Sequence, residues 1–130
     1  MVNFILREGD YQQLPKRLLR NVPGFEASNA FQVVAADRDL PGVVCAALAR
    51  YLIAAQRQAM TGGEAGAELR RVLRAIYEAI EDLATSEDPE TQNVVVVDIL
   101  ETLAGERDIR EVIKRNLLPK SRELYDRWVS

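Results

Sequence analysis

Asp98 and Glu101 stand three residues apart inside an apolar run, Val94-Val95-Val96-Val97-Asp98-Ile99-Leu100-Glu101-Thr102-Leu103. On a helix that spacing sets the two carboxylates at neighbouring positions of one face. So placed, they can share a proton or hold a cation. A catalytic or metal site normally draws on a third and fourth group. The chain has no histidine, so no Glu-x-x-His pair can supply them, and the commonest general base and metal ligand is missing. The simpler assignment is that Glu101 accepts hydrogen bonds from an Arg or from backbone at a helix junction, while Asp98 sits on the rim. The sequence favours it and predicts no catalytic residue, no metal and no cofactor.

The other chemistry-bearing residues are equally spare. Cys45 is the only cysteine, and its neighbours Val43, Val44, Ala46, Ala47 and Leu48 suit a small buried hydrophobe better than a reactive thiol. Thr61-Gly62-Gly63-Glu64 lacks the Gly-Lys-Ser/Thr that completes a phosphate-binding loop. Two basic patches, Lys16-Arg17-Arg20 and Arg70-Arg71-Arg74, lack the interleaved aromatics of single-strand binders, so nucleic acid is not expected as a partner.

Charge is distributed unevenly. Ten acids and one base, Arg107, lie between Glu78 and Asp108, whereas residues 1–77 and 109–130 each carry a net charge of +3. Such segregation steers a basic partner toward one side. Acids also gather at helix starts because they suit the dipole there. The candidate partner-binding residues are therefore Glu87, Asp88, Glu90, Asp98, Glu101, Glu106 and Asp108.

These residues need elements to hold them, and the patterning predicts helices. Asp10 can cap a first helix to Asn21, with Leu14 and Leu18 on its apolar face, although Pro15 would suit a later start near Leu14. Val22-Pro23-Gly24 reads as a turn, and Phe25 to Ala36 as a helix. Asp39 as cap and Pro41 at the first helical position open a helix to about Met60. It is apolar nearly all round, which predicts the middle of a bundle, with Arg50, Gln56, Arg57 and Gln58 in solvent.

After the Thr61-Gly62-Gly63 break, Glu64 to Ala84 repeats Leu69, Val72, Leu73, Ile76, Ile80 and Leu83 at spacings of three and four. Asp88, Pro89 and Glu90 then signal another helix start. The valine run that follows favours strand when taken alone. It continues at helical spacing through Ile99, Leu100 and Leu103, and a lone strand would lack a pairing partner, so helix is predicted. Gly105 ends it, Asp108 can cap a helix over residues 109–116, and Pro119 starts a last one carrying Leu124, Tyr125 and Trp128. The expectation is an all-α, compact single domain over residues 1–130, a bundle of six or seven helices.

A chain of 130 residues, 48% hydrophobic and 28% charged, can bury one core without crosslinks. Met1 to Glu8 has no basic leader and too short an apolar run for a signal peptide, and Leu40 to Ala49 is too short to span a bilayer. A cytoplasmic protein without a membrane partner is expected.

Three stretches carry a resemblance: Leu19-Arg20-Asn21-Val22-Pro23-Gly24-Phe25; Leu40-Pro41-Gly42-Val43-Val44 with Leu48-Ala49-Arg50-Tyr51; and Asn93 to Leu103, answered by Leu117-Leu118-Pro119-Lys120-Ser121-Arg122. Together they resemble a family of small, all-helical bacterial proteins of unknown function, some of whose members look like immunity proteins of toxin systems. In that family the third stretch is Asn, small aliphatic residues, then an aromatic or leucine before a Glu. Leu100 before Glu101 fits, whereas Asp98 stands where a small hydroxyl residue would be expected. The resemblance implies a helical fold and points toward a non-enzymatic protein-binding role, such as neutralising a toxin. The alternatives are a helical adaptor or a homodimeric regulator joined through a strip at Val94, Val95 and Val97, and, less favoured, a carboxylate-only enzyme.

Overall fold

The computed structural model describes residues 2–62 and 66–129, with side chains from Tyr11 onward. Among these residues there are helices and turns and no strand. In chain order they are α1 (Val2–Asn21), α2 (Asn29–Gln32), a 3-10 turn (Ala35–Asp37), α3 (Pro41–Thr61) and α4 (Ala67–Ala84). Then come α5 (Pro89–Val94), a π-helical segment (Val95–Leu100), α6 (Glu101–Ala104), α7 (Arg110–Asn116) and α8 (Pro119–Trp128). The three segments from α5 to α6 run on without a break as one helix, residues 89–104.

α3 is the axis of the bundle. It packs against α1, α2, α4 and the whole 89–104 helix. Val44, Cys45, Ala47, Leu48, Ala49 and Leu52 are all fully buried, as an all-round apolar helix requires. Burial, and then the nearby Asp98 charge, push the Cys45 thiol far above its usual range, so it stays protonated and inert.

The valine run is helical, and it is wound as a π-helix. The Glu101 N–H bonds back five residues to the Val96 carbonyl. The wider turn lets residues five apart approach one face, and Val95, Ile99 and Leu100 are all fully buried. Crowded β-branched side chains gain room by the same widening. The Thr102 hydroxyl donates to the Asp98 carbonyl at 3.0 Å, giving that disturbed backbone an extra donor.

Several local expectations are corrected. Asp10 lies inside α1 and so does not cap it, and Pro15 is accommodated in the helix interior. Phe25 to Ala36 is a turn, a one-turn helix capped by Ser28 and a 3-10 turn, because Phe25 and Phe31 both point into the core from irregular spacing. Asp39 caps nothing: Leu40 holds the N-cap position before Pro41, leaving Asp39 one residue too early. Asp108 likewise precedes the N-cap Ile109 and pairs with Arg57 instead. Gln56 is buried, where its Oε1 accepts the Tyr77 hydroxyl at 2.8 Å, a partner that periodicity does not reveal. The predicted start at Glu64 falls outside the described residues.

α8 is anchored by a long-range cap. Its N-cap residue Leu118 has no polar side chain. Glu81 of α4 takes that role, accepting from the Lys120 N–H at 2.9 Å, the Ser121 N–H at 2.8 Å and the Ser121 hydroxyl at 2.8 Å. Burial raises the Glu81 carboxyl, but the bonds from Ser121 and Lys120 outweigh it and hold the group below its ordinary 4.5. A depressed folded value stabilises above the ordinary one and is lost as pH falls through the folded value. Glu81→Gln is therefore expected to cost about 1 kcal/mol at neutral pH. Denaturant melts should show the gap to wild type closing as pH drops below 4.5. A gap independent of pH would remove the carboxylate cap from the account.

Candidate functional site

The acidic residues do not form one surface. At the start of α5, Asp88 is a true cap: its Oδ1 accepts the Glu90 N–H at 3.3 Å and its Oδ2 the Thr91 hydroxyl at 2.8 Å. Glu87 and Glu90 flank it and are exposed. At the other end of the 89–104 helix, Arg57 of α3 claims Glu106 and Asp108 together. Its Nε and Nη2 donate to Asp108 at 3.0 and 2.9 Å, and Nη2 donates to Glu106 at 2.5 Å. That fork takes up half the charge at this end and holds the Asp108 carboxyl low. The two ends lie about 22 Å apart along the helix at 1.5 Å per residue.

Asp98 and Glu101 do lie near one another, and burial, with the Glu101 charge second, raises the Asp98 carboxyl above its usual 3.8. Glu101 is exposed. Asp98 is half-buried over the first turn of α3, where a Cβ at Gly42 would come within 3.0 Å of its Oδ2. An acid there faces the positive end of α3, the place left open by Leu40. Among the described residues no three His, Cys, Asp or Glu side chains converge in a way that could hold a metal.

The stretches quoted above from the sequence meet in space. Tyr51 of the second donates its hydroxyl to the Pro23 carbonyl of the first at 2.8 Å, and its ring packs on Phe25 at 5.6 Å. Gly42 of the second faces Asp98 of the third. Ser121 and Lys120, which answer the third, bind Glu81. These motifs hold helix junctions together.

A groove of about 300 Å³ runs between the 89–104 helix and α8, lined by Pro89, Gln92, Asn93, Val96, Leu124 and Trp128. Trp128 is 64% exposed at its edge, and Val97 nearby on the helix is 44% exposed. Val94 and Val95 are buried, which corrects the expected exposed strip: of its three members only Val97 reaches solvent. Val95 lies four residues before the buried Ile99, on the helix face that packs on α3.

The sequence model of a family described as a domain of unknown function, DUF7674, matches residues 15–129. The chain belongs to the DUF7674 family. The match takes in every stretch that carried the resemblance, from Leu19 to Arg122. Comparisons with curated proteins and with solved structures give no match. No helix among the described residues is long and apolar enough to cross a membrane.

Within the DUF7674 domain, Trp128 is the surface residue that periodicity missed. It falls four after Leu124, the spacing of a core position. It is the last residue of α8, and helical spacing carries no signal for that end position. Chemically the groove offers an indole, three aliphatic side chains and two amides, with exposed carboxylates at its Pro89 end. An indole set among aliphatic carbons with amides at the rim is the make-up of a contact surface more than of a polar cleft.

Proposed function

We propose that the DUF7674 domain is a non-enzymatic protein-binding module whose partner presents an apolar anchor flanked by basic side chains. The observation that carries this reading is the exposed Trp128 on an apolar groove whose Pro89 end is bordered by Glu87, Asp88 and Glu90. Tryptophan beside a pocket is the residue type that dominates interface energetics. Exposed carboxylates accelerate encounter with a cationic surface, and salt weakens them. A cationic toxin is a partner of this chemistry, and neutralising it is the role this reading favours. A cytoplasmic setting suits a chain whose one thiol is free and buried.

Partner capture from the native host at low salt, followed by titration at two salt concentrations, tests the proposal. Trp128→Ala is expected to weaken binding by about tenfold or more, mainly through faster dissociation. Changing Glu87 and Glu90 to glutamine and Asp88 to asparagine should slow association and flatten its salt dependence; asparagine still caps α5. A captured partner indifferent to both changes overturns the reading. A chain that self-associates through Trp128 would replace it with a homodimeric one.

A further inference from the structure

The basic C-terminal segment builds a second pocket, away from the groove. Its volume is about 260 Å³, and it is lined by Lys114 and Arg115 from the last turn of α7, Arg122 from the first turn of α8, and Glu111. Three cations face one carboxylate there. Among the described residues, neither Arg115 nor Arg122 has an ion-pair partner, whereas the other bases of α8 are engaged: Lys120 and Arg127 both pair with Glu123. Lys114 is held in place by Asp126 at 3.6 Å and lies over the Tyr125 ring at 5.8 Å. The site is thus a positioned ammonium beside two uncommitted guanidinium forks on different helices.

We infer that this pocket binds a phosphate dianion, free or as the terminal group of a small phosphate monoester. With Asp126 offsetting Lys114 and Glu111 on the pocket wall, the site keeps a net excess of one positive charge, which favours an anion, and the two guanidinium forks select a phosphate over a carboxylate. Guanidinium groups bond phosphate oxygens bidentately, and two of them approaching from separate helices suit a tetrahedral group better than a planar one. The pocket is large enough for the phosphoryl group and a few attached atoms, and too small for a macromolecular surface to enter.

The test is a titration of the whole chain, labelled at nitrogen, with inorganic phosphate, glycerol phosphate and acetate at matched ionic strength. Side-chain N–H resonances of Arg115 and Arg122 report the binding. Saturable shifts with both phosphates, at least about tenfold tighter than with acetate, are the expected result. A response to glycerol phosphate alone assigns the site to esters, and one to inorganic phosphate alone assigns it to the free ion. The double variant Arg115→Gln, Arg122→Gln should lose the response by about tenfold or more, while Arg70→Gln, Arg71→Gln keeps it. All four side chains are exposed, so circular dichroism should report unchanged folding. No saturation, equal shifts with acetate, or an unaffected double variant overturns the inference.

Discussion

Leu48→Ala and Leu100→Ala are each expected to lower the unfolding free energy by about 2–5 kcal/mol, and Leu73→Ala by distinctly less. Leu48 lies mid-way along α3 and Leu100 ends the π-helical segment; both are fully buried in one cluster at the contact between these elements. Truncation there removes methylene transfer energy and also leaves a cavity, because helices on every side of α3 prevent collapse. Leu73 satisfies the same sequence pattern but is only partly buried, packed against the edge of the cluster. Its neighbours on α4, Ile76 and Ile80, are fully buried and define the inward face. Urea melts of the three variants decide the matter. Equal losses at Leu73 and Leu48 would mean that α4 is rotated relative to this packing.

The contrast between Leu73 and Leu48 shows what was legible. Apolar spacing located the helices, because burying a stripe is what drives them into a bundle, and proline at the first helical position located the starts at Pro41, Pro89 and Pro119. It also favoured helix over strand for Val94–Val97, since the pattern continued to Leu103. Spacing alone could not tell how deep each stripe lies. Leu69 and Leu73 sit at the margin of the cluster while Tyr77, off the expected stripe, is buried with its hydroxyl on Gln56. The π-helical turn was also hidden. Its cause is a balance between β-branched crowding and core fit that depends on the partner helix.

The surface was legible in composition more than in geometry. The acidic belt exists as a count, yet Arg57 ties up Glu106 and Asp108 while Asp98 turns toward Gly42. Glu87, Glu90, Glu101 and Asp108 are all exposed, yet they lie at different points along the helix and not on one surface. Caps that reach across the chain, such as Glu81 on α8, leave no local signature at all. They join residues about 40 positions apart, and capping rules describe only what a helix takes from its own neighbours.

The second large effect is expected at Gly24, where Gly24→Ala should cost about 2–3 kcal/mol. Gly24 has φ of 76°, a left-handed conformation that any side chain with a Cβ resists. Added to that, a Cβ there would stand 2.7 Å from the Tyr51 hydroxyl oxygen. That hydroxyl is not free to swing away, because it donates to the Pro23 carbonyl at 2.8 Å and its ring packs on Phe25, which packs in turn on Phe31. The new methyl group must therefore break the Tyr51 bond or displace the turn. Tyr51→Phe alone removes one exposed hydrogen bond and should cost about 1 kcal/mol. It also clears the space that the methyl group needs. The double variant Gly24→Ala, Tyr51→Phe should consequently be more stable than the sum of the single losses predicts, by about 0.5–1.5 kcal/mol. A denaturant double-mutant cycle measures that coupling. Strict additivity would show that the cost at Gly24 is backbone strain alone, and that Tyr51 does not read the turn at Pro23 and Gly24.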